Sequence, residues 1–187
     1  MAVLNIAMVG SDQLAREIAK PVDERDVQSY VHKEIVDGVQ CILSLIRPIR
    51  YPEKLRPLLS ALSAGRVGII EIKAIDATFG ETLVAFSAAG ISKGVVVINP
   101  DPDGWVDEDQ VKKSLIQVGL ENWVFCTGDG LEIRQKLLSM ITELEEELAK
   151  DKERALVVPV DQYFTVKGIG LVAIGYVQSG AVKVHDT

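Results

Sequence analysis

The chain is poor in the residues that most often build metal centres and nucleophiles. Of 187 residues, two are cysteine and two are histidine. Cys41 and Cys126 both lie in apolar, strand-like runs, where a thiol serves as a small hydrophobe in a reducing compartment rather than as half of a bridge. His32 falls in a polar, loop-like stretch and His185 in a turn, neither with a His/Asp/Glu cluster at ligand spacing, so no metal site is expected. No Ser–His–Asp or Cys–His order stands out, and Asp23, Glu24 and Asp26 read as a charged loop, so no catalytic residue is assigned. No apolar run approaches the ~18 residues of a membrane span. The opening MAVLNIAMVG has no basic leader before its apolar run, which argues against a signal peptide and for a cytoplasmic protein. Basic residues are also scarce, 20 Lys and Arg against 27 Asp and Glu, for a net charge of −7. That balance speaks against DNA and against a broad nucleic-acid surface, though not against a local patch. Trp105 and Trp123 are read as packing residues.

Buried strands are what the chain does have. Five nearly continuous apolar segments, 3–9, 39–46, 67–72, 94–98 and 123–126, read as strands covered on both faces. Helical patterns over 52–63, 78–89, 107–118 and 130–150 separate them. Thr78 with Glu81 and Asp107 with Gln110 stand at capping-box spacing, and Ile133, Leu137, Ile141, Leu144 and Leu148 form one stripe. Strands alternating with helices imply an α/β fold with a doubly wound, mostly parallel sheet over residues 1–154. Ligands in such sheets bind at the carboxyl ends of the strands, where Gly10–Glu17, Arg47–Pro52, Lys73–Thr78, Asn99–Asp103 and Thr127–Gly130 fall.

The first of these segments, MVGSDQLARE, has the strand–glycine–helix order of a phosphate-binding loop. That loop needs GxxxxGK[ST], with amides and a lysine for the phosphates and a hydroxyl for Mg²⁺. Counting from Gly10, Ala15 stands at the second glycine, Arg16 at the lysine and Glu17 at the hydroxyl. A carboxylate there would repel a phosphate oxygen ~4 Å away by about 4 kcal/mol at an effective dielectric of 20. Arginine's planar fork replaces lysine's compact ammonium poorly.

After Arg154 the helical period disappears and short β runs alternate with Gly168, Gly170, Gly175 and Gly180, the pattern of antiparallel strands in tight turns. Residues 155–187 are too few to close a barrel, and three or four strands are expected of them. The end, VKVHDT, lacks a terminal turn, so the chain reads either as shorter than a larger parent or as self-associating at an open edge. Residues 160–187 resemble the start of the second, β-barrel domain of translational GTPases of the elongation factor Tu and selenocysteine-specific type. Asp161, Phe164, Gly168, Gly170, Val172, Gly175, Val177, Gly180, Val182, Val184 and Asp186 match the family's run, while His185 replaces its closing glycine and Leu171 a usual threonine.

The resemblance implies a P-loop GTPase-like domain over 1–154 with GTP or GDP and Mg²⁺ as cofactors, but the matching positions are eroded. Arg47 stands at the metal-holding aspartate of DxPGH, Arg50 at its glycine and Tyr51 at its histidine. In place of NKxD the chain has Asn99, Pro100, Asp101, Pro102 and Asp103. Thr127-Gly128-Asp129-Gly130 is the best-kept motif, and residues 21–37 hold no counterpart to the switch threonine. Carried over residue by residue, the nucleotide positions are Gly10, Ser11, Arg16, Asn99, Asp101, Asp103, Thr127 and Gly128. Arg16, Arg47 and Arg50 could instead gather an anion without metal, or pair with Asp12, Glu17 or Glu53. The expected function is that of an elongation-factor-like scaffold that does not hydrolyse GTP and needs no cofactor. Its barrel would meet tRNA or the ribosome, with only Lys167 and Lys183 as cations. Two alternatives stand beside it: a working GTP-binding elongation factor with an atypical site, and a small-ligand-binding α/β module.

Overall fold

The computed structural model describes residues 1–185, and the side chains of these apart from 145–148 and 161. The Leu148, Asp161, Asp186 and Thr187 side chains therefore lie outside the described residues. Two compact units divide the chain, Met1–Ser139 and Met140–Thr187.

The first unit is built on a seven-stranded sheet. Its strands are β1 (Ala2–Val9), β2 (Lys20–Glu24), β3 (Val27–Val36), β4 (Val39–Pro48), β5 (Val67–Ile72), β6 (Gly94–Ile98) and β7 (Val124–Cys126). They lie in the order β2-β3-β4-β1-β5-β6-β7. From β4 to β7 every pairing is parallel, while β2, β3 and β4 pair antiparallel. The apolar runs dictate the parallel part: every residue of β5 is buried, and in β6 all but Ile98. Helices α2 (Leu55–Ala64), α3 (Ala77–Ala88) and α4 (Glu108–Gln117) bury Leu58, Leu62, Leu83, Phe86, Val111 and Leu115 with Ala7, Ile70, Ile72 and Val96 of the sheet. Ile6, Met8, Ile69 and Val95 alternate to the other face. Leu14 and Ile18 of α1 (Asp12–Ile18) and Ile133 and Leu137 of α5 (Gly130–Lys152) are buried too. Arg134 Nη1 ties α5 to α1 by donating to the Glu17 carbonyl at 2.6 Å.

Trp123 sets the packing at the ends of β5 and β6. It meets Phe86 edge to face with ring centroids 4.9 Å apart, and a Cβ on Gly68 or Gly94 would fall 2.2 or 2.6 Å from its ring. Trp105, expected to pack, is instead 81% exposed in the loop after β6.

Several expectations need correction. Asp23 and Glu24, read as part of a charged loop, lie on β2, and His32, read in a loop-like stretch, lies on β3 with its Nε2 3.2 Å from Glu34. The inward alternation of β3 is carried by Gln28 and Tyr30, two polar side chains, so no hydrophobic period announced the strand. A signal did exist: Asp37-Gly38, both at positive φ, is a hairpin turn between Val36 and Val39. Helix α3 is capped by Asp76 rather than Thr78, Asp76 accepting from Phe79 N–H at 2.8 Å. Asp107 caps α4 as its spacing suggests.

Within the second unit, β8 (Val160–Val166) and β9 (Gly170–Gly175) form one antiparallel hairpin turned by Gly168 and Gly170 at positive φ. A single bridge, Val157 to Ser179, adds to it. The three or four strands expected reduce to two among the described residues. Tyr163, Ile169 and Leu171 stand largely exposed on the hairpin.

Candidate functional site at the carboxyl edge of the sheet

The loop after β1 is short. Ser11 is already the N-cap of α1, its hydroxyl accepting from Leu14 N–H, so Gly10 and Ser11 alone separate strand from helix. Ala15 is fully buried within that helix, and Arg16 and Glu17 follow on its second turn. Arg16 Nε pairs with Asp12 at 2.5 Å. Asp12 also accepts from the buried Tyr30 hydroxyl at 2.5 Å. These bonds, the Arg16 one first, hold the Asp12 carboxyl below its ordinary range, whereas burial and then Asp12 push the Tyr30 phenol up. Arg47 completes the network, donating to Gln28 at 2.8 Å and to Tyr30 at 3.3 Å. Its guanidinium is thus engaged with β3. Arg50 lies in the turn after β4 at φ 63. Tyr51 donates to Thr82 Oγ1 at 2.9 Å, since that hydroxyl itself donates to the Thr78 carbonyl.

The residue that organises this edge is Glu71, near the end of β5. Its carboxylate accepts from Ser11 N–H at 2.5 Å through Oε2 and from Asn99 Nδ2 at 2.7 Å through Oε1. Gly10 makes room for it: a Cβ there would meet Glu71 Cβ at 3.0 Å and Oε2 at 3.1 Å. Sequence reading passed Glu71 over. The one available signal was an acid inside an otherwise apolar buried run, VGIIEI.

Ser11, Asn99, Thr127 and Gly128 come together with Gln13, Leu14, Glu17 and Glu71 around a cleft of about 390 Å³. Four of the eight carried-over nucleotide positions therefore share one cavity, and Gly10 adjoins it through Glu71. Arg16 is not among its lining residues. Asp101 turns to Lys73, 3.4 Å away, and Asp103 is exposed. Glu132, also missed in the sequence, closes the TGDG loop by accepting from both Thr127 N–H and Thr127 Oγ1. Those bonds, the hydroxyl's first, hold the Glu132 carboxyl below the usual carboxylate range. Burial pushes the neighbouring Cys126 thiol up to about 11, which leaves it unreactive. The cleft lining carries two carboxylates and no lysine or arginine. A second cleft, of about 380 Å³ and lined by Val9, Ile70, Ile72 and Phe79 among others, shares Glu71 as a wall.

Fold and sheet order define the class: an α/β domain on a mixed, mostly parallel sheet, similar in fold to translational GTPases. Three solved structures give the particulars. The bacterial selenocysteine-specific elongation factor EF-Sec superposes with a TM-score of 0.70 at 18% identity, over 98% of this chain and 36% of that one. Translation elongation factor SelB from Methanococcus maripaludis, in complex with the GTP analogue GppNHp, gives 0.64 at 18% identity over 96% and 42%. Its apo form gives 0.63 at 16% over 98% and 44%. At these identities the likeness is one of fold. In sequence, an uncharacterized protein of Methanocaldococcus jannaschii is 29% identical over all 187 residues, and the chain spans 56% of that protein's length. No family model matches. Among the described residues no helix is long and apolar enough to cross a membrane, and no group of three or more His, Cys, Asp or Glu is placed to hold a metal ion.

Proposed function

We propose that this chain is a translation-factor-like scaffold that neither holds nor hydrolyses GTP. The observation that carries the reading is Glu71. In this fold the amides that follow β1 would cradle phosphate, and here one of them, Ser11 N–H, donates to a buried carboxylate within the protein. The helix starts too early to leave a wrapping loop, and the positions of the lysine and the metal-binding hydroxyl fall on its second turn. Arg47, at the position of the metal-holding aspartate, bonds to Gln28 and Tyr30. Phosphoryl transfer in such domains is almost wholly positioning and charge stabilisation around a nucleotide–Mg²⁺ unit. An acidic cleft without lysine or arginine offers neither.

On this reading the fold is kept for its outer surfaces, and the partners are of the translational kind, tRNA or the ribosome, with self-association at the exposed hairpin. A soluble, cytoplasmic protein fits that role. Calorimetric titration with GDP and GTP, with and without Mg²⁺, tests the first part, and no saturable heat is expected. Micromolar, magnesium-dependent binding would establish the working-GTPase alternative instead. Retention of aminoacyl-tRNA or ribosomes on the immobilised protein tests the second part.

A further inference from the structure

The stretch from Arg50 to Arg56, RYPEKLR, carries three cations and one acid. Its net of +2 stands in a chain of net −7, which leaves −9 for all other residues. Arg50, Glu53, Lys54 and Arg56 are all exposed. Acids outnumber bases in this chain, so a surface cation readily finds one, as Arg16, Lys73 and Lys112 do. Among the described residues Arg50, Lys54 and Arg56 form no ion pair, and the first turn of α2 holds no acidic residue. Arg50 is kept at φ 63, a backbone conformation that favours glycine, and its carbonyl accepts from Lys54 N–H at 2.7 Å. The cations are therefore held together where the turn enters the helix. Beside them Leu55 and Leu59, one helical turn apart, are 51% and 52% exposed. Leu58, Ala61 and Leu62, on the other side of the helix, are buried in the core.

We propose that this outer face of α2 is a docking surface for an acidic amphipathic helix of a partner protein. The two leucines form a short apolar ridge, on which a helix lays its own apolar stripe. The cations at its rim meet carboxylates on the flank of that helix, which fixes its orientation and speeds encounter. Two other occupants fit less well. A nucleic-acid strand would neutralise the cations but leave the leucines in water, and its phosphates would face the −9 of the remaining residues. A second copy in a two-fold pair would set the same patch against itself, cation on cation. The inference goes beyond the scaffold reading and holds whether or not the cleft takes nucleotide.

Fluorescence anisotropy of the intact chain against a labelled helical peptide of glutamate, leucine and alanine, its leucines one turn apart, is the test. Three further probes accompany it: the same peptide with lysine for glutamate, the same with serine for leucine, and oligouridine. Saturable binding of the first peptide alone is expected, and it should weaken as salt rises. Lys54→Glu combined with Arg56→Glu should weaken it roughly tenfold or more, since like charges then meet across the contact. Leu59→Ser leaves every charge in place and should weaken it about fivefold. That variant decides the matter if the double substitution does not fold. Lys113→Glu, at an exposed cation on α4, should leave binding unchanged. No saturable binding, equal binding of the serine peptide, indifference to Leu59→Ser, or an equal loss with Lys113→Glu would overturn the inference. Oligouridine binding that the double substitution abolishes would overturn it in favour of nucleic acid.

Discussion

At the scale of single residues, the two glycines of Thr127-Gly128-Asp129-Gly130 do different work. A Cβ on Gly128 would meet Val97 at 3.6 Å, an ordinary contact. On Gly130 it would fall 2.3 Å from the Glu17 carbonyl oxygen and 2.6 Å from its carbon, where backbone must shift. Gly130→Ala is therefore expected to cost about 1–3 kcal/mol, the usual penalty of overpacking. Gly128→Ala should stay within roughly 0.5 kcal/mol. Denaturant melts of the two variants check this, and equal stabilities would refute the packing account. The motif was legible in the sequence, but not its division of labour. Gly130 lets α5 lie against the end of α1, a long-range contact that spacing does not reveal. Gly10 is a similar case, its neighbour being Glu71, 61 positions away in the chain.

Among elements, the parallel strands could be read directly because burial on both faces leaves continuous apolar runs, as in VGIIEI and GVVVI. The antiparallel edge could not. On β3 the inward positions belong to Gln28 and Tyr30, whose polar atoms are satisfied by Arg47 and Asp12. Periodicity counts such residues as solvent-facing. Helix starts were readable to within three residues, the pattern over 52–63 beginning ahead of α2 at Leu55, yet the capping side chain was misassigned at α3. There Asp76 accepts from Phe79 N–H, and Thr78 already lies inside the helix. Asp76→Ala should lower stability by about 1 kcal/mol, the common cost of losing an N-cap. Thr78→Ala should cost a few tenths at most, since its side chain caps nothing. The order of the two melting temperatures is the measurement, and a costlier Thr78→Ala would return the cap to threonine.

Across the whole molecule, pH acts through the same contacts. The Asp12 and Glu132 carboxyls are depressed by hydrogen bonds, so their contribution is present above the ordinary carboxylate pKa of about 4 and is lost as pH falls through their folded values. The Tyr30 and Tyr51 phenols are raised above 10.0, chiefly by burial. Their contribution is whole below pH 10 and disappears as pH rises through the folded values. Tyr30→Phe should cost about 1–3 kcal/mol at neutral pH by leaving Asp12 and Arg47 short of a partner. It should also flatten the alkaline limb, because one phenol no longer titrates. Thermal melts on either side of pH 10 would show both effects, and an unchanged alkaline slope would count against the Tyr30–Asp12–Arg47 network. The architecture as a whole was visible in the alternation of strand and helix. What the sequence overstated was the second unit, because glycine-punctuated β runs mark turns without saying how many strands find partners.

The contrast between the two tryptophans gives the molecule a built-in optical reporter. Trp123 is enclosed beside Phe86, whereas Trp105 stands in water on the loop that leaves Asn99. An aqueous quencher such as iodide would silence the second indole and spare the first, separating their emission without any label.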